Sequence, residues 1–365
     1  MSNVLSFQPA MQLNQDARLR ALITAIVEGR HGPSDIYWLK EVAELLGVLA
    51  SEGEELPPGA LDPLHDFYDR IEDQLHFFPQ YYRFLLSICL DLEDLGMAGQ
   101  RGQELCNWVA THKFAEAEMS DLQRAEARRL LRRRGVGAPV EDGPLARRLH
   151  RFMSRPATFA LPNKKAAYEL THVVFYLSDY GRRVPVMSQN ALLGLHYAGI
   201  LAHLDLDFDL LAEVCAALVL AKAHVPPVWQ RAVADSYHSI TLFADRAAPL
   251  GDGYHQYLVS RWALGLMGAR PDVPQIPAGP LRFSLPERSI GPLHGMSESL
   301  HDMGPARQAD WPRMRGHILT YLTPECQAVL AEAEGATPYF ETFFECFSRA
   351  AFAEGPIAKL ARSGR

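Results

Sequence analysis

Apolar residues recur every three to four positions along almost all of this 365-residue chain, and the alternating runs that a half-buried strand needs are scarce. That periodicity restricts the fold to helices that bury one face. Candidate helices fall near 15–29, 35–52, 59–75, 79–95, 99–113, 119–134 and 144–154, then 164–180, 189–204, 208–223, 227–245, 254–268, 306–321, 324–334 and 338–353. Short connections make consecutive helices antiparallel. The expected fold class is all-α, with antiparallel helical hairpins forming an α/α toroid or solenoid-like body.

Two interruptions organise the series. Residues 135–143, GVGAPVEDG, read as a linker between an N-terminal helical part (1–135) and a second helical part (136–365). Residues 270–292 contain six prolines, which fix φ and remove backbone donors, so this is a long non-helical excursion. Phe283 and Ile290 are its expected anchors, which makes it an ordered flap. Local signals mark several boundaries. Ser34 is placed to N-cap the helix that follows it, and Asn163 the helix starting at 164. Gly181 tolerates the left-handed turn that stops that helix, and Pro227 suits a first turn.

The net charge of -7 argues against nucleic-acid binding, which draws on a basic face. No run reaches the ~18 apolar residues of a membrane span, and the start lacks a basic region followed by an apolar one, so a cytoplasmic protein with no membrane partner is expected. Five dispersed cysteines without a C-x-x-C pair suggest neither a disulfide framework nor a zinc ribbon. Dinucleotide, P-loop and nucleophile-elbow motifs are missing, so no nucleotide cofactor is expected.

One stretch, NKKAAYELTHVVFYLSDYGRR (163–183), carries the chemistry. Steps of four, four and three place Tyr168, His172, Tyr176 and Asp179 on one helix face, opposite Leu170, Val173, Val174 and Leu177. His172 is the candidate general acid or base, with Asp179 and Tyr176 orienting it or donating to it. Tyr168, His196, His203, Tyr237 and His238, from this and later hairpins, are candidate substrate-binding residues. The plainer reading is that such residues fill helix interfaces, each with one hydrogen bond. His196 and His203 stand seven residues apart, ~10.5 Å along a helix, so a metal would need histidines from different helices. Asp205, Asp207 and Asp209 precede an apolar helix, where an N-cap is the simplest role. Ten arginines between 124 and 155 read as a solvated face.

The segments ELTHVVFYLSDYGRR and DLDFDLLAEV resemble an uncharacterised bacterial all-helical family with a T-H-x-x-F-Y-x-x-D-[FY]-G core, often found near natural-product genes. The resemblance covers 168–214 and marks Thr171, His172, Phe175, Asp179, Gly181, Asp207 and Glu213 as motif positions. In architecture the chain also looks like the toroids of terpenoid and lanthipeptide cyclases, without their motifs. The expected function is a biosynthetic enzyme acting on a small molecule or peptide-derived precursor by His/Asp/Tyr acid–base chemistry, with a homodimer possible. The alternative is a non-catalytic helical binding or scaffold protein for a peptide or partner enzyme.

Overall fold

A computed structural model describes residues 8–53, 55–137, 143–287 and 289–350, with side chains from residue 14 onward. The expected linker overlaps residues 138–142, which lie outside the described residues. The described residues are mostly helical, with two short strands among them. The helices used below are α1 (Gln8–Gly29), α2 (Ile36–Glu52), α3 (Tyr82–Asp94), α4 (Asp121–Arg132), α5 (Lys164–Ser178), α6 (Gln189–Leu204), α7 (Phe208–Leu220) and α8 (Pro227–Ser239). After strand β1 (Thr241–Ala244) come α9 (Tyr254–Leu266), strand β2 (Leu281–Ser284), α10 (Pro292–Asp302), α11 (Trp311–Leu319), α12 (Pro324–Ala336) and α13 (Phe340–Phe347). No helix among the described residues is long and apolar enough to cross a membrane.

The chain divides into two compact units. The first combines residues 1–145, 179–183 and 237–286, and the second 146–178, 184–236 and 287–365.

In the first unit α2 buries Trp38, Leu45, Leu46 and Leu49, and packs on α3 through Leu85, Leu86, Ile88 and Cys89. Its N-cap is Asp35, whose carboxylate accepts from the Tyr37 amide at 2.9 Å, in place of the expected Ser34. Asp reaches the same orphan donor with a charge that the helix dipole favours. The expected helix at 227–245 stops at Ser239, and Thr241–Ala244 pairs antiparallel with Leu281–Ser284, Leu242 facing Phe283. Thr, Leu and Phe suit a pleated surface, and the backbone groups gain ladder partners there. The proline-rich excursion therefore contributes a strand. Phe283 anchors it in the core as expected, whereas Ile290 is 79% exposed and anchors nothing.

The arginine-rich stretch is a second correction. Arg129 bonds Asp179, Arg133 bonds Asp91 and Asp94, and Arg134 bonds Glu93 and Asp94, with Arg133 almost wholly enclosed. Arg133 and Arg134, just past the end of α4, tie it to α3, and Arg129 ties it to the turn at Asp179, in buried and part-buried ion pairs. A solvated face does not describe them.

In the second unit Gly199 on α6 is a true close approach, since an added Cβ would lie 2.4 Å from the ring of Trp229 on α8. That ring is fully buried and fixes the packing. Pro227 opens α8, as its missing N–H allows. Helix α10, missed by the sequence reading, starts at Pro292 and buries Leu293, Met296 and Leu300 at helical spacing. The region expected as one helix from 306 begins at Trp311, with Asp310 as its cap.

Candidate functional site

Helices α5 and α7 carry the chemical residues of the second unit, and their side chains meet in step. Lys164 Nζ lies 2.9 Å from Asp205 and 2.7 Å from Asp207. One turn on, the Tyr168 hydroxyl donates to Asp209 Oδ2 at 2.7 Å. A further turn on, Thr171 donates to Glu213 Oε2, and His172 Nδ1 stands 3.5 Å from the same oxygen. Both rows ascend together, so the two helices run parallel, with four-residue steps matched rung by rung. Asp207 also caps α7 through the Leu210 amide at 3.2 Å, as the sequence suggested. Asn163 likewise caps α5 through the Ala166 amide at 3.2 Å.

The top rung has the geometry of an oriented base. His172 Nδ1 lies 2.8 Å from the Tyr168 carbonyl, which can only accept, so Nδ1 carries the proton in the neutral ring. Nε2 is then the lone-pair nitrogen, and among the described residues it has no partner. The side chain is 33% exposed, while Glu213 beside it is 2% exposed. The Thr171 proton lies between the Tyr168 carbonyl at 2.9 Å and the Glu213 carboxyl. Tyr176 is buried with its ring edge-on to His172 at 6.0 Å. Burial, and then the Asp209 and Asp207 carboxylates, push the Tyr168 phenol well above its ordinary range, so Tyr168 stays a donor near neutral pH.

Asp179 does not share this face. α5 ends at Ser178, and Asp179, Tyr180 and Gly181 take left-handed φ values of 49°, 52° and 97° in succession. Such a conformation costs non-glycine residues about 1 kcal/mol each. The turn belongs to the first unit, where Asp179 Oδ1 accepts from Arg129 at 3.1 Å and Tyr180 lies under the same guanidinium.

The other candidates disperse. His196 sits between the rings of Trp229 and Tyr339, and burial, with His224 nearby, lowers its pKa to about 4. His203 is buried, its nearest acid is Glu332 at 3.7 Å, and burial depresses its pKa too. No hydrogen bond, ion pair or ring contact among the described residues joins either one to His172. Tyr237 and His238 belong to the first unit, where Tyr237 stacks on Tyr257 at 5.3 Å and His238 is exposed. Among the described residues no group of three or more His, Cys, Asp or Glu side chains can hold a metal ion.

Sequence reasoning left Glu213 a motif position without a role and Asp209 a helix-cap candidate. Their spacing from each other is visible, but their pairing with α5 needs the helix register. A separate cleft of about 670 Å³ in the first unit is lined by none of the predicted site residues.

The family model described as Domain of unknown function (DUF6902) matches residues 1–350, so the chain belongs to that family. No curated protein and no solved structure matches the chain.

Proposed function

We propose that the chain is an enzyme in which His172 acts as general base and then acid on a small molecule or peptide-derived precursor in a biosynthetic pathway. The observation that carries this reading is the fixed ring: Nδ1–H is committed to the Tyr168 carbonyl, and Nε2, on a side chain 33% exposed, has no partner among the described residues. A base of this kind takes a substrate proton on Nε2 and returns it to a leaving or product atom. The cation formed in between has the buried Glu213 carboxyl 3.5 Å from Nδ1, where an opposite charge is worth most. Thr171 holds that carboxyl in place. Tyr168 and Tyr176 are positioning residues. The surrounding body is of the α/α toroid or solenoid-like type, which the parallel packing of α5 on α7, with α6 connecting them in the chain, supports. Five cysteines free of disulfides fit a reducing, cytoplasmic setting.

The test is turnover. A small-molecule extract is incubated with the protein and followed by mass spectrometry, with His172→Ala alongside. The wild type should consume one component and the variant should not, at unchanged helicity. Consumption by both proteins, or by neither, contradicts the proposal and leaves the binding or scaffold reading.

A further inference from the structure

Arg282 is 4% exposed, lies on β2 and lines the cleft of the first unit, yet it forms no ion pair among the described residues. Burying an unpaired guanidinium costs several kcal/mol. Its neighbour shows what full compensation looks like here. Arg30 places Nε and Nη2 on Glu41, Nη1 and Nη2 on Asp252, and Nη1 also on the Leu281 carbonyl, at 2.7–3.1 Å. That satisfies the five N–H donors of a guanidinium. Among the described residues Arg282 has only two bonds, both to neutral carbonyls: Nε to Ala248 at 3.0 Å and Nη1 to Leu281 at 2.8 Å. They orient the head group, and its remaining donors and its charge are uncommitted.

The walls fit the same reading. Arg246 and Arg70 are exposed cleft residues with no ion pair among the described residues, the Arg70 Nε bonding only the Asp66 carbonyl. Glu28 and Asp66 also line the cleft, and both are exposed, so they offset the arginines in water while Arg282 stays uncompensated. Trp38 and Phe67, tilted together at 4.7 Å, give the cleft an apolar floor. A volume of about 670 Å³ is that of a pocket for one small organic molecule.

We infer that this cleft binds a small organic anion, in which a carboxylate or phosphate meets Arg282 and an apolar ring or chain lies over Trp38 and Phe67. A planar guanidinium with parallel free donors suits either oxyanion. This site is independent of His172.

The test is calorimetric titration of the full chain with phenyl phosphate and with benzoate, using benzyl alcohol as the neutral control. At least one anion should bind saturably and one-to-one, and benzyl alcohol should not; which anion binds more tightly identifies the oxyanion. Arg282→Gln should weaken binding about tenfold or more, the value of a charged hydrogen bond. Arg246→Ala, at an exposed position, should weaken it ~threefold while leaving the fold intact, so the result stands even where Arg282→Gln unfolds. Failure of both anions to saturate, equal binding of benzyl alcohol, or anion affinity unchanged in Arg246→Ala and in every folded Arg282 variant overturns the inference.

Discussion

The ladder between α5 and α7 and the cleft beside β2 treat charge in opposite ways. On the ladder Lys164, Tyr168 and Thr171 each meet a carboxylate on or just before α7, and Nε2 of His172 has no partner among the described residues. Beside β2, Arg30 is saturated while Arg282, bonded to the same carbonyl of Leu281, keeps free donors and an uncancelled charge. A group whose bonding capacity is filled by the protein is explained by folding. A group in a costly place with capacity to spare is a candidate for a ligand.

Substitutions can break or sharpen that contrast. The largest effect is expected at Arg30→Met, which leaves the buried Glu41 and the half-buried Asp252 without their cation and should cost about 3–5 kcal/mol in denaturant unfolding. A loss near zero there would show that the saturated arginine is not structural. Glu213→Ala removes the acceptor of Thr171 within the core and should cost ~2 kcal/mol. Tyr168→Phe deletes one partly buried bond to Asp209, for a loss of ~1 kcal/mol.

The smallest effect near neutral pH, growing on acidification, belongs to His196. Its folded pKa of about 4 lies below the ordinary 6.5, so between those values the unfolded chain binds a proton that the folded one refuses. Stability is therefore full above about 6.5 and falls as pH drops toward 4. His196→Phe should flatten that slope, measured as melting temperature against pH. An unchanged slope would remove His196 from the account.

What could be read in the sequence was local. Asn163, Asp207 and Pro227 act within one turn of their own helix, so residue type and spacing were enough. The strand at Thr241–Ala244 was hidden because it continues a helical pattern and depends on a partner strand about 40 residues away. Asp179 sits at the right spacing for the His172 face, but the helix ends at Ser178 in a left-handed turn, and the Asp179 carboxylate pairs with Arg129, 50 residues earlier. Glu213 was visible only as a motif position, since its meeting with Thr171 and His172 depends on how two helices align. Arg282 looks like any arginine between prolines until burial and the missing counter-charge are known.

The most direct test compares melting of His172→Ala and Glu213→Ala. If His172 is held for chemistry alone while Glu213 also holds the core together through Thr171, His172→Ala should stay within about 0.5 kcal/mol of wild type, as surface changes do. Glu213→Ala should melt several degrees lower, at ~2–4 °C per kcal/mol. His172→Ala melting as low as Glu213→Ala would make the histidine a packing residue and contradict the account.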